Sequence, residues 1–251
     1  MNKFEDNYSD IIRKCLKKGQ KVSGRNGIVR QITGVQICAE LEYGLPIVTG
    51  KQIFPKSIFV ETDWFLKGLT NIKFLNDNGV HIWDKWADEN GNLGPVYGKQ
   101  LRTFNGIDQL NNVVQEAKNN KHSRRLLCNL WNVPDLDKMN LPPCHYSFQF
   151  VIPNSIVDII VSMRSLDLFI GLPYDICMYS IILHSFAKEL NLTANNVIIN
   201  AANAHVYEEH VGAAAIYANR NKHKLPKLLN VPKILEFDFN EVKISDYKHE
   251  A

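Results

Sequence analysis

The segment between residues 141 and 175 carries more candidate chemistry than any other part of this chain. It begins LPPCHYSFQFVIP at residue 141 and ends MRSLDLFIGLPYD at residue 175. Two prolines before Cys144 fix the backbone and remove two amide donors, so the loop that presents the thiol is rigid. The apolar runs after it predict two strands joined by a turn. Gly-Leu-Pro then predicts the start of a helix, because proline is tolerated in a first helical turn.

Working outward, the rest of the chain mixes helical and strand-like patterns without regular alternation, which favours an α+β fold. The predicted helices are 8–18 (with Ser9 as a possible cap), 56–67, 70–77, 107–119, 172–191 and 206–221. The predicted strands are 28–42, 124–132, 145–153, 156–163 and 196–202, and 87–100 is predicted to be a loop. With no repeat or linker visible, residues 1–251 are interpreted as one domain.

Composition bounds the class of protein. Of the 251 residues, 45% are hydrophobic, which is enough for one sizeable core. The net charge of +3 comes from scattered residues and does not indicate nucleic-acid binding. No apolar run is long enough to span a membrane, and the polar N-terminus does not resemble a signal peptide. A cytoplasmic protein is expected, and five widely spaced cysteines favour free thiols in a reducing compartment.

Cys144 has two interpretations from the residues alone: a nucleophile, or a small buried side chain. A papain-like dyad with His145 is disfavoured, since neighbours in a strand point to opposite faces. A zinc deaminase would need a second cysteine where Ser147 stands, and the chain has no His-x-Glu. No metal is therefore expected.

Arg164 and Ser165 together suit a phosphate, because the guanidinium donates two hydrogen bonds and the hydroxyl a third. Arg124 and Arg125 form a second basic pair. Either cluster has a plain alternative, namely a surface ion pair.

Five motifs resemble the thymidylate synthase family, in family order and at family spacing over residues 20–249. They are IWDKWADENGNLGPVYGKQLR (82–102), SRR (123–125), LDKMNLPPCH (136–145), RSLDLFIGLP (164–173) and HVYEEH (205–210). The resemblance implies a mixed β-sheet with flanking helices and a sheet-to-sheet homodimer. It also implies that Cys144 attacks C6 of a pyrimidine nucleotide, after which C5 captures the one-carbon unit of 5,10-methylenetetrahydrofolate.

The resemblance assigns a role to each matching position. Glu61 is implied to move protons, and Tyr97 to lie beside the nucleophile. The implied nucleotide contacts are Arg25, Arg164 and Ser165 for phosphate, Arg124 and Arg125 for the neighbouring subunit's phosphate, His205 and Tyr207 for the sugar, and Asp167, Asp175 and His145 around the base. The implied folate contacts are Lys51 for its tail, Trp83, Leu141, Asp167, Gly171 and Tyr174.

Asp175 is the departure that matters most, since the family shows Asn at the position that faces the pyrimidine. An amide matches the N3–H donor and O4 acceptor of uracil, whereas an ionised carboxylate only accepts. Cytosine offers an N4 amino donor instead. Attack by Cys144 favours protonation of N3, and the adduct then shows two adjacent donors that a carboxylate can accept. Such a bidentate pair is worth about 1–3 kcal/mol of discrimination in analogous contacts.

Other departures point to the same substrate or have no clear meaning. Met163 replaces the usual Gln before Arg-Ser, as in phage deoxycytidylate hydroxymethylases. The chain ends shortly after Tyr247, without the apolar tail that closes the family's site, so we expect water to reach the reacting methylene. Leu101 for Trp and Asn203 for Asp have no explanation. His145 matches the synthases instead.

The resulting hypothesis is a phage-encoded dCMP 5-hydroxymethyltransferase that gives 5-hydroxymethyl-dCMP and tetrahydrofolate. It is expected to work in the cytoplasm of the host cell. The alternatives are a dCMP C5-methylase, a dUMP thymidylate synthase that tolerates Asp175, and a nucleotide- or RNA-binding homologue without activity.

Overall fold

The computed structural model describes residues 2–24 and 26–251, in which helices and strands are interspersed. The helices are α1 (Lys3–Lys18), α2 (Pro55–Leu66), α3 (Lys73–Asp77), α4 (Tyr97–Thr103), α5 (Gln109–Asn119), α6 (Gly171–Leu190) and α7 (Val211–Asn219). The strands are β1 (Gln20–Gly24), β2 (Gly27–Glu40), β3 (Leu127–Asn129), β4 (His145–Val151), β5 (Ile156–Met163), β6 (Leu166–Asp167), β7 (Thr193–Tyr207), β8 (Leu228–Asn230) and β9 (Lys243–Ile244). The α+β class is confirmed.

A seven-stranded mixed sheet organises the fold. Its strand order is β1-β2-β7-β5-β4-β3, and the short β6 also pairs with β7. The β5–β7 and β6–β7 pairs are parallel, whereas the β1–β2, β2–β7, β3–β4 and β4–β5 pairs are antiparallel. The chain therefore crosses over between β5 and β7, and α6 lies in that crossover. This crossover brings the starts of β4 and α6 and the end of β7 to one region.

The helix-covered face of the sheet holds the core. Every second residue of β5 is buried, in keeping with the two-residue period of a strand. The long helix α6 is buried over much of its length, and Phe186 stacks on Phe150 of β4 at a centroid separation of 3.7 Å. Burial of each such side chain stabilises the fold by about 1.5–3 kcal/mol. The other face carries half-buried or exposed side chains, including Gln36, Tyr146 and Asn200.

Helix α1 is anchored to the core through a buried carboxylate. Glu5 accepts hydrogen bonds from the backbone N–H groups of Thr49 and Gly50 (2.8 and 3.1 Å). It also accepts from the Tyr217 hydroxyl at 2.6 Å. The helix begins earlier than expected, and its cap is Asn2, whose side chain accepts from the Glu5 N–H. The proposed cap at Ser9 was wrong, because Ser9 is buried within α1.

Three further differences from the sequence-based expectation bear on the predicted site. The predicted loop 87–100 ends in the first turn of α4, which begins at Tyr97. The predicted strand 124–132 shrinks to β3, so Arg124 and Arg125 lie in a turn before it. Strand β7 runs on to Tyr207, and α7 begins only at Val211. Pairing with β2 and β6 extends β7, and this long-range contact has no signal in the local sequence.

Strand β4 contains an irregularity directly after the Pro-Pro-Cys sequence. The register of its pairing with β5 shifts between His145 and Ser147. A bulge of this kind re-aims side chains at the end of a strand. Across residues 2–24 and 26–251, no helix has both the length and the apolar character that a membrane span requires.

Candidate active site

Cys144 lies at the end of the Leu141–Pro143 loop, where a network of hydrogen bonds holds the backbone. Its N–H donates to the Tyr97 hydroxyl oxygen at 2.8 Å. Arg164 donates to the carbonyls of Pro143 and Pro142 at 2.7 and 2.8 Å, and its Nη2 lies 3.8 Å from the Cys144 Sγ. A guanidinium at this distance favours a thiolate, the reactive form of cysteine. This arrangement is the one that the predicted nucleophile requires.

Trp131 supports this arginine, and the sequence analysis missed it. The Arg164 guanidinium carbon lies 5.8 Å from the centroid of the Trp131 ring. Such a contact orients a cation and is worth about 0.5–2 kcal/mol. The tryptophan lies beyond the end of β3, and nothing in its local sequence links it to a residue 33 positions away.

His145 is a buried aromatic partner of two tyrosines. Its ring stacks on Tyr97 at 4.3 Å, and its Nδ1 lies 2.6 Å from the Tyr179 hydroxyl. Burial lowers the pKa of His145 to about 3, so the ring is neutral. This engagement with Tyr179 agrees with the argument against a Cys–His dyad. Tyr179 was another residue without a sequence signal, since it occupies a helical position that also suits simple packing.

Glu61, the predicted proton-transfer group, lies on α2 beside Trp83. The indole N–H of Trp83 donates to its Oε1 at 2.8 Å. Burial raises the pKa of Glu61 to about 7, although the hydrogen bond from Trp83 acts in the opposite direction. A carboxyl group with a pKa near the working pH can both give and take a proton. The predicted role of Glu61 fits this environment.

Two further carboxyl groups flank the start of α6. Asp167 accepts hydrogen bonds from the N–H groups of Phe169 and Ile170 at 2.8 and 3.0 Å, which closes the turn before the helix. A Cβ on Gly171 would lie 3.5 Å from the Asp167 Cβ and 3.6 Å from the Asp175 Oδ2. Gly171 therefore separates the two aspartates, and the three residues share one wall of the site.

Asp175 prefers its protonated form in this environment. Burial raises the pKa of its carboxyl well above the usual range, and the charges of Glu61 and Asp167 raise it further. The sequence argument treated Asp175 as an ionised acceptor. A protonated carboxyl instead offers one donor and one acceptor, as an amide does. The structure thus adds a second hydrogen-bonding state to the residue that faces the base in the resemblance.

His205 and Tyr207 lie at the end of β7, beside Asp167. Strand β6 pairs Asp167 with His205 in register, and the rings of His205 and Tyr207 are 5.2 Å apart. Burial lowers the pKa of His205, while the nearby carboxylate of Asp167 opposes the shift. The crossover therefore brings the predicted sugar contacts to the wall that carries Asp167.

An aromatic rim suited to a flat heterocycle borders Glu61. Trp83 packs against Trp86 and Tyr97, with centroids 5.8 and 5.7 Å apart. Phe54 is 57% exposed, and its backbone hydrogen-bonds to Tyr174. Exposed aromatic surface of this kind is typical of a binding site, and its contact with the rings of a folate stays a prediction. Among the described residues, no cluster of His, Cys, Asp or Glu suits a metal ion.

Lys51, proposed for the folate tail, is turned toward the protein. Its Nζ donates to the Phe169 carbonyl and lies 3.9 Å from the centroid of the Phe169 ring. Burial lowers the pKa of Lys51 to about 8, and the charge of Asp167 opposes the shift. A contact between this ammonium and a folate tail stays a prediction, and it would require the side chain to leave Phe169.

The remaining predicted contacts differ in their exposure. Ser165 is half-buried between β5 and β6, and Leu141 is half-buried in the nucleophile loop. The Arg125 side chain is 82% exposed and pairs with Glu116 at 3.2 Å. Arg124 is exposed in the same turn, as a contact with another subunit would require. Arg25 lies outside the described residues.

Comparison with known proteins agrees with this arrangement. The sequence profile described as "Thymidylate synthase" matches residues 6–251. The chain belongs to the thymidylate synthase family. It is 39% identical to the thymidylate synthase of Coxiella burnetii (strain Dugway 5J108-111) over 249 residues, covering 96% of this chain and 94% of the relative. It is 40% identical to that of Brachyspira hyodysenteriae over 255 residues, covering 97% and 96%. Enzymes of this family carry out one-carbon transfer, so the inactive binding homologue loses its support.

Proposed function

We propose that this member of the thymidylate synthase family transfers the one-carbon unit of 5,10-methylenetetrahydrofolate to C5 of dCMP, giving 5-hydroxymethyl-dCMP. The single observation behind the choice of base is Asp175, which stands where the family has an asparagine. Its place on the wall with Gly171 and Asp167, near the charge of Glu61, supports a role in the site.

The covalent steps follow from the nucleophile loop. The Cys144 thiolate attacks C6 of the pyrimidine, and the electron pair of the C5–C6 double bond moves toward C5. The guanidinium of Arg164 stabilises the thiolate before attack, and Arg164 and Ser165 donate hydrogen bonds to the nucleotide phosphate. Tyr97 keeps the loop in place through its hydrogen bond with the Cys144 N–H. Burial raises the pKa of Tyr97 well above its usual range, so it acts as a neutral phenol.

Asp175 can read cytosine in either protonation state. As a neutral acid it donates to N3 and accepts from the N4 amino group. As a carboxylate it accepts from N4 and from an N3 that becomes protonated when the adduct forms. Each arrangement is bidentate, and a good bidentate contact is worth about 1–3 kcal/mol. Transfer of the Asp175 proton to N3 during attack would strengthen the contact as the adduct forms, which assists catalysis as well as binding.

Glu61 supplies the proton transfers that follow. When bound, the folate provides the one-carbon unit at the oxidation level of formaldehyde. The Trp83 hydrogen bond fixes Glu61 beside the aromatic rim where the folate fits. A carboxyl with a pKa of about 7 can take the proton of an attacking water. Once C5 has bonded to the one-carbon unit, loss of the C5 hydrogen releases tetrahydrofolate without oxidation and leaves a methylene on C5. Water adds to that methylene while the Cys144 thiolate leaves C6, which restores the C5–C6 double bond and gives the hydroxymethyl group. The Met163-Arg164-Ser165 sequence, shared with the phage hydroxymethylases, supports capture of water as the last step.

A dUMP thymidylate synthase is the second candidate, and two observations favour it. The Coxiella, Brachyspira and Buchnera relatives are named thymidylate synthase, at 39–40% identity. In addition, protonated Asp175 can accept from N3–H of uracil and donate to O4, as asparagine does. A third candidate is a dCMP methylase. It would recognise cytosine through Asp175 and would complete the reaction by hydride transfer, as the named thymidylate synthases do.

The proposal includes a homodimer that works in the cytoplasm. The uncovered face of the sheet, lined by Gly34, Gln36, Tyr146 and Asn200, would pack against its counterpart. The exposed side chains of Arg124 and Arg125 would then reach the partner's nucleotide phosphate. Replacement of Arg125 by Ala is expected to raise KM for the nucleotide with little change in kcat, because the role is binding.

Product analysis decides among the candidates. The protein is incubated with methylenetetrahydrofolate and either dCMP or dUMP, and the nucleotide product is weighed by mass spectrometry. Dihydrofolate is followed by its absorbance in the same samples. Hydroxymethyl-dCMP without dihydrofolate is the expected outcome. Methyl-dCMP with dihydrofolate would establish the methylase, and a product from dUMP alone would overturn the assignment of Asp175.

A further inference from the structure

A chain of hydrogen bonds, here called the amide relay, links Gln31, Asn203 and His205. Strand β2 pairs with β7 so that Gln31 lies opposite His205. The Asn203 amide nitrogen donates to the Gln31 Oε1 at 2.8 Å. The Asn203 oxygen then lies 2.9 Å from the His205 Nδ1 and accepts its hydrogen. The relay therefore runs from the imidazole through one amide to another, without a charge on either amide.

We propose that Asn203 is a positioning residue that holds His205 as a neutral imidazole, with its hydrogen on Nδ1 and the lone pair of Nε2 offered to the nucleotide's 3′-hydroxyl. This inference rests on the proposed function for the identity of the ligand. The ring nitrogen that Asn203 occupies is fixed by the structure, so Nε2 is left for a ligand. A neutral acceptor selects a hydroxyl donor and disfavours a 3′-phosphate, which has no hydrogen to give.

The charge balance around His205 explains why an amide suits position 203. The titratable neighbours are Asp167 on β6 and Tyr207 on the same strand, and β2 contributes the neutral Gln31. Burial disfavours the imidazolium, whereas the charge of Asp167 favours it. A carboxylate at position 203 would add a second negative charge at hydrogen-bond distance from Nδ1. Because opposite charges favour the ionised form, it would shift His205 toward the imidazolium, which donates from both nitrogens.

The first arm of the test uses the free protein and does not depend on the substrate. The ring nitrogens of His205 are identified in 15N-labelled protein by comparison with a His205→Gln variant. A neutral ring with its hydrogen on Nδ1 is expected from pH 6 to 8. A hydrogen on Nε2 would mean that the amide oxygen and nitrogen atoms of Asn203 and Gln31 are exchanged, and it would overturn the proposal. An imidazolium at neutral pH would overturn the proposal as well.

The second arm measures binding of dCMP, dUMP and their 3′-deoxy counterparts to wild type, Asn203→Asp and Asn7→Asp. Asn7 is exposed on α1, so its replacement adds the same charge away from His205. For whichever nucleotide binds wild type, loss of the 3′-hydroxyl should weaken binding roughly 2- to 13-fold at every pH. In Asn203→Asp, the ratio of the affinities with and without the 3′-hydroxyl should change with pH between 6 and 8. In steady-state kinetics the substitution should change KM rather than kcat.

The outcomes separate the two proposals. Binding of dUMP but not dCMP would refute the base assignment and leave the relay intact, because both nucleotides carry the same sugar. A pH-independent ratio in Asn203→Asp, equal to that of Asn7→Asp, would overturn the relay whatever the base. If Asn203→Asp does not fold, the tautomer of His205 in the wild-type protein still decides.

Discussion

The two walls of the site differ in charge and in how their side chains are held. The nucleophile wall, with Cys144 and Arg164, is fixed by short hydrogen bonds to backbone carbonyls and carries a positive charge. The other wall, with Glu61, Asp167 and Asp175, gathers three carboxyl groups, and two of them have raised pKa values. In the proposed mechanism the first wall fixes the atom that attacks the base, and its sequence matches the family closely. The second wall would set where protons lie, and it carries the Asp175 substitution.

Cys144→Ser tests the nucleophile wall and has the largest expected effect. A hydroxyl is far less nucleophilic than a thiolate, so turnover should fall by roughly 10⁴-fold or more. Nucleotide binding should persist, since Arg164 keeps its bonds to the loop. Steady-state turnover and equilibrium binding are measured beside Cys38→Ser, a half-buried thiol on β2. Equal activity of the two variants would refute covalent catalysis by Cys144.

Glu61→Gln tests the proton-handling wall. General acid–base catalysis contributes roughly 10²–10⁴-fold, so kcat should fall by about that factor. In the wild type, kcat/KM should change slope near pH 7, where Glu61 of the free enzyme titrates. That inflection should be missing in the variant. An unchanged pH profile would assign the proton transfers to another group.

Asp175→Asn asks whether one residue sets the base. The ratio of kcat/KM for dUMP over dCMP should rise by roughly 5- to 150-fold, the equivalent of about 1–3 kcal/mol. Asp246→Asn, at an exposed position, is the charge control. If the ratio is the same in both variants, selectivity comes from elsewhere in the site.

The raised pKa of Glu61 also makes a prediction about stability. The unfolded chain has the ordinary value of 4.5 and the folded protein about 7. Between these values the folded state holds more protons, so its stability falls as the pH rises. Removing the carboxyl should therefore stabilise Glu61→Gln relative to wild type by about 1–3 kcal/mol at pH 8, and much less at pH 4.5. Urea unfolding at the two pH values measures the difference, and a gain that is equal at both would contradict the linkage.

Trp83→Phe should have the smallest effect on activity, and it tests how Trp83 sets the pKa of Glu61. The indole N–H stabilises the ionised form of Glu61, so its loss should move the pH inflection upward from about 7. Activity should fall only a few-fold at pH 8, because the aromatic packing is kept. A downward shift would show that Trp83 stabilises the protonated carboxyl instead.

Local sequence predicted those parts of the molecule whose determinants are close together in the chain. The helical patterns of α2 and α6 and the apolar run of β5 place each element within about two residues. The two prolines before Cys144 likewise predicted the loop that ends at this residue. What could not be predicted depends on contacts between distant segments. Trp131 under Arg164 and the extension of β7 to Tyr207 are examples.

Asp175 shows a different limit. The residue type was read from the sequence, but its preferred protonation state follows from burial and from the charges on α2 and β6. Those elements lie at other places in the chain. A motif can therefore predict which side chain faces the base, while the direction in which its hydrogen bonds run is a property of the assembled site.

The buried Glu5 has a consequence for the loop that carries Lys51. The amide hydrogens of Thr49 and Gly50 point to a carboxylate that belongs to α1. They can exchange with solvent only when that helix lifts away from the core, so their exchange rates should report the opening of α1. The first turn of the chain and the edge of the proposed folate site would then open as one cooperative unit, and an agent that frays the N-terminus would loosen the pocket at a distance.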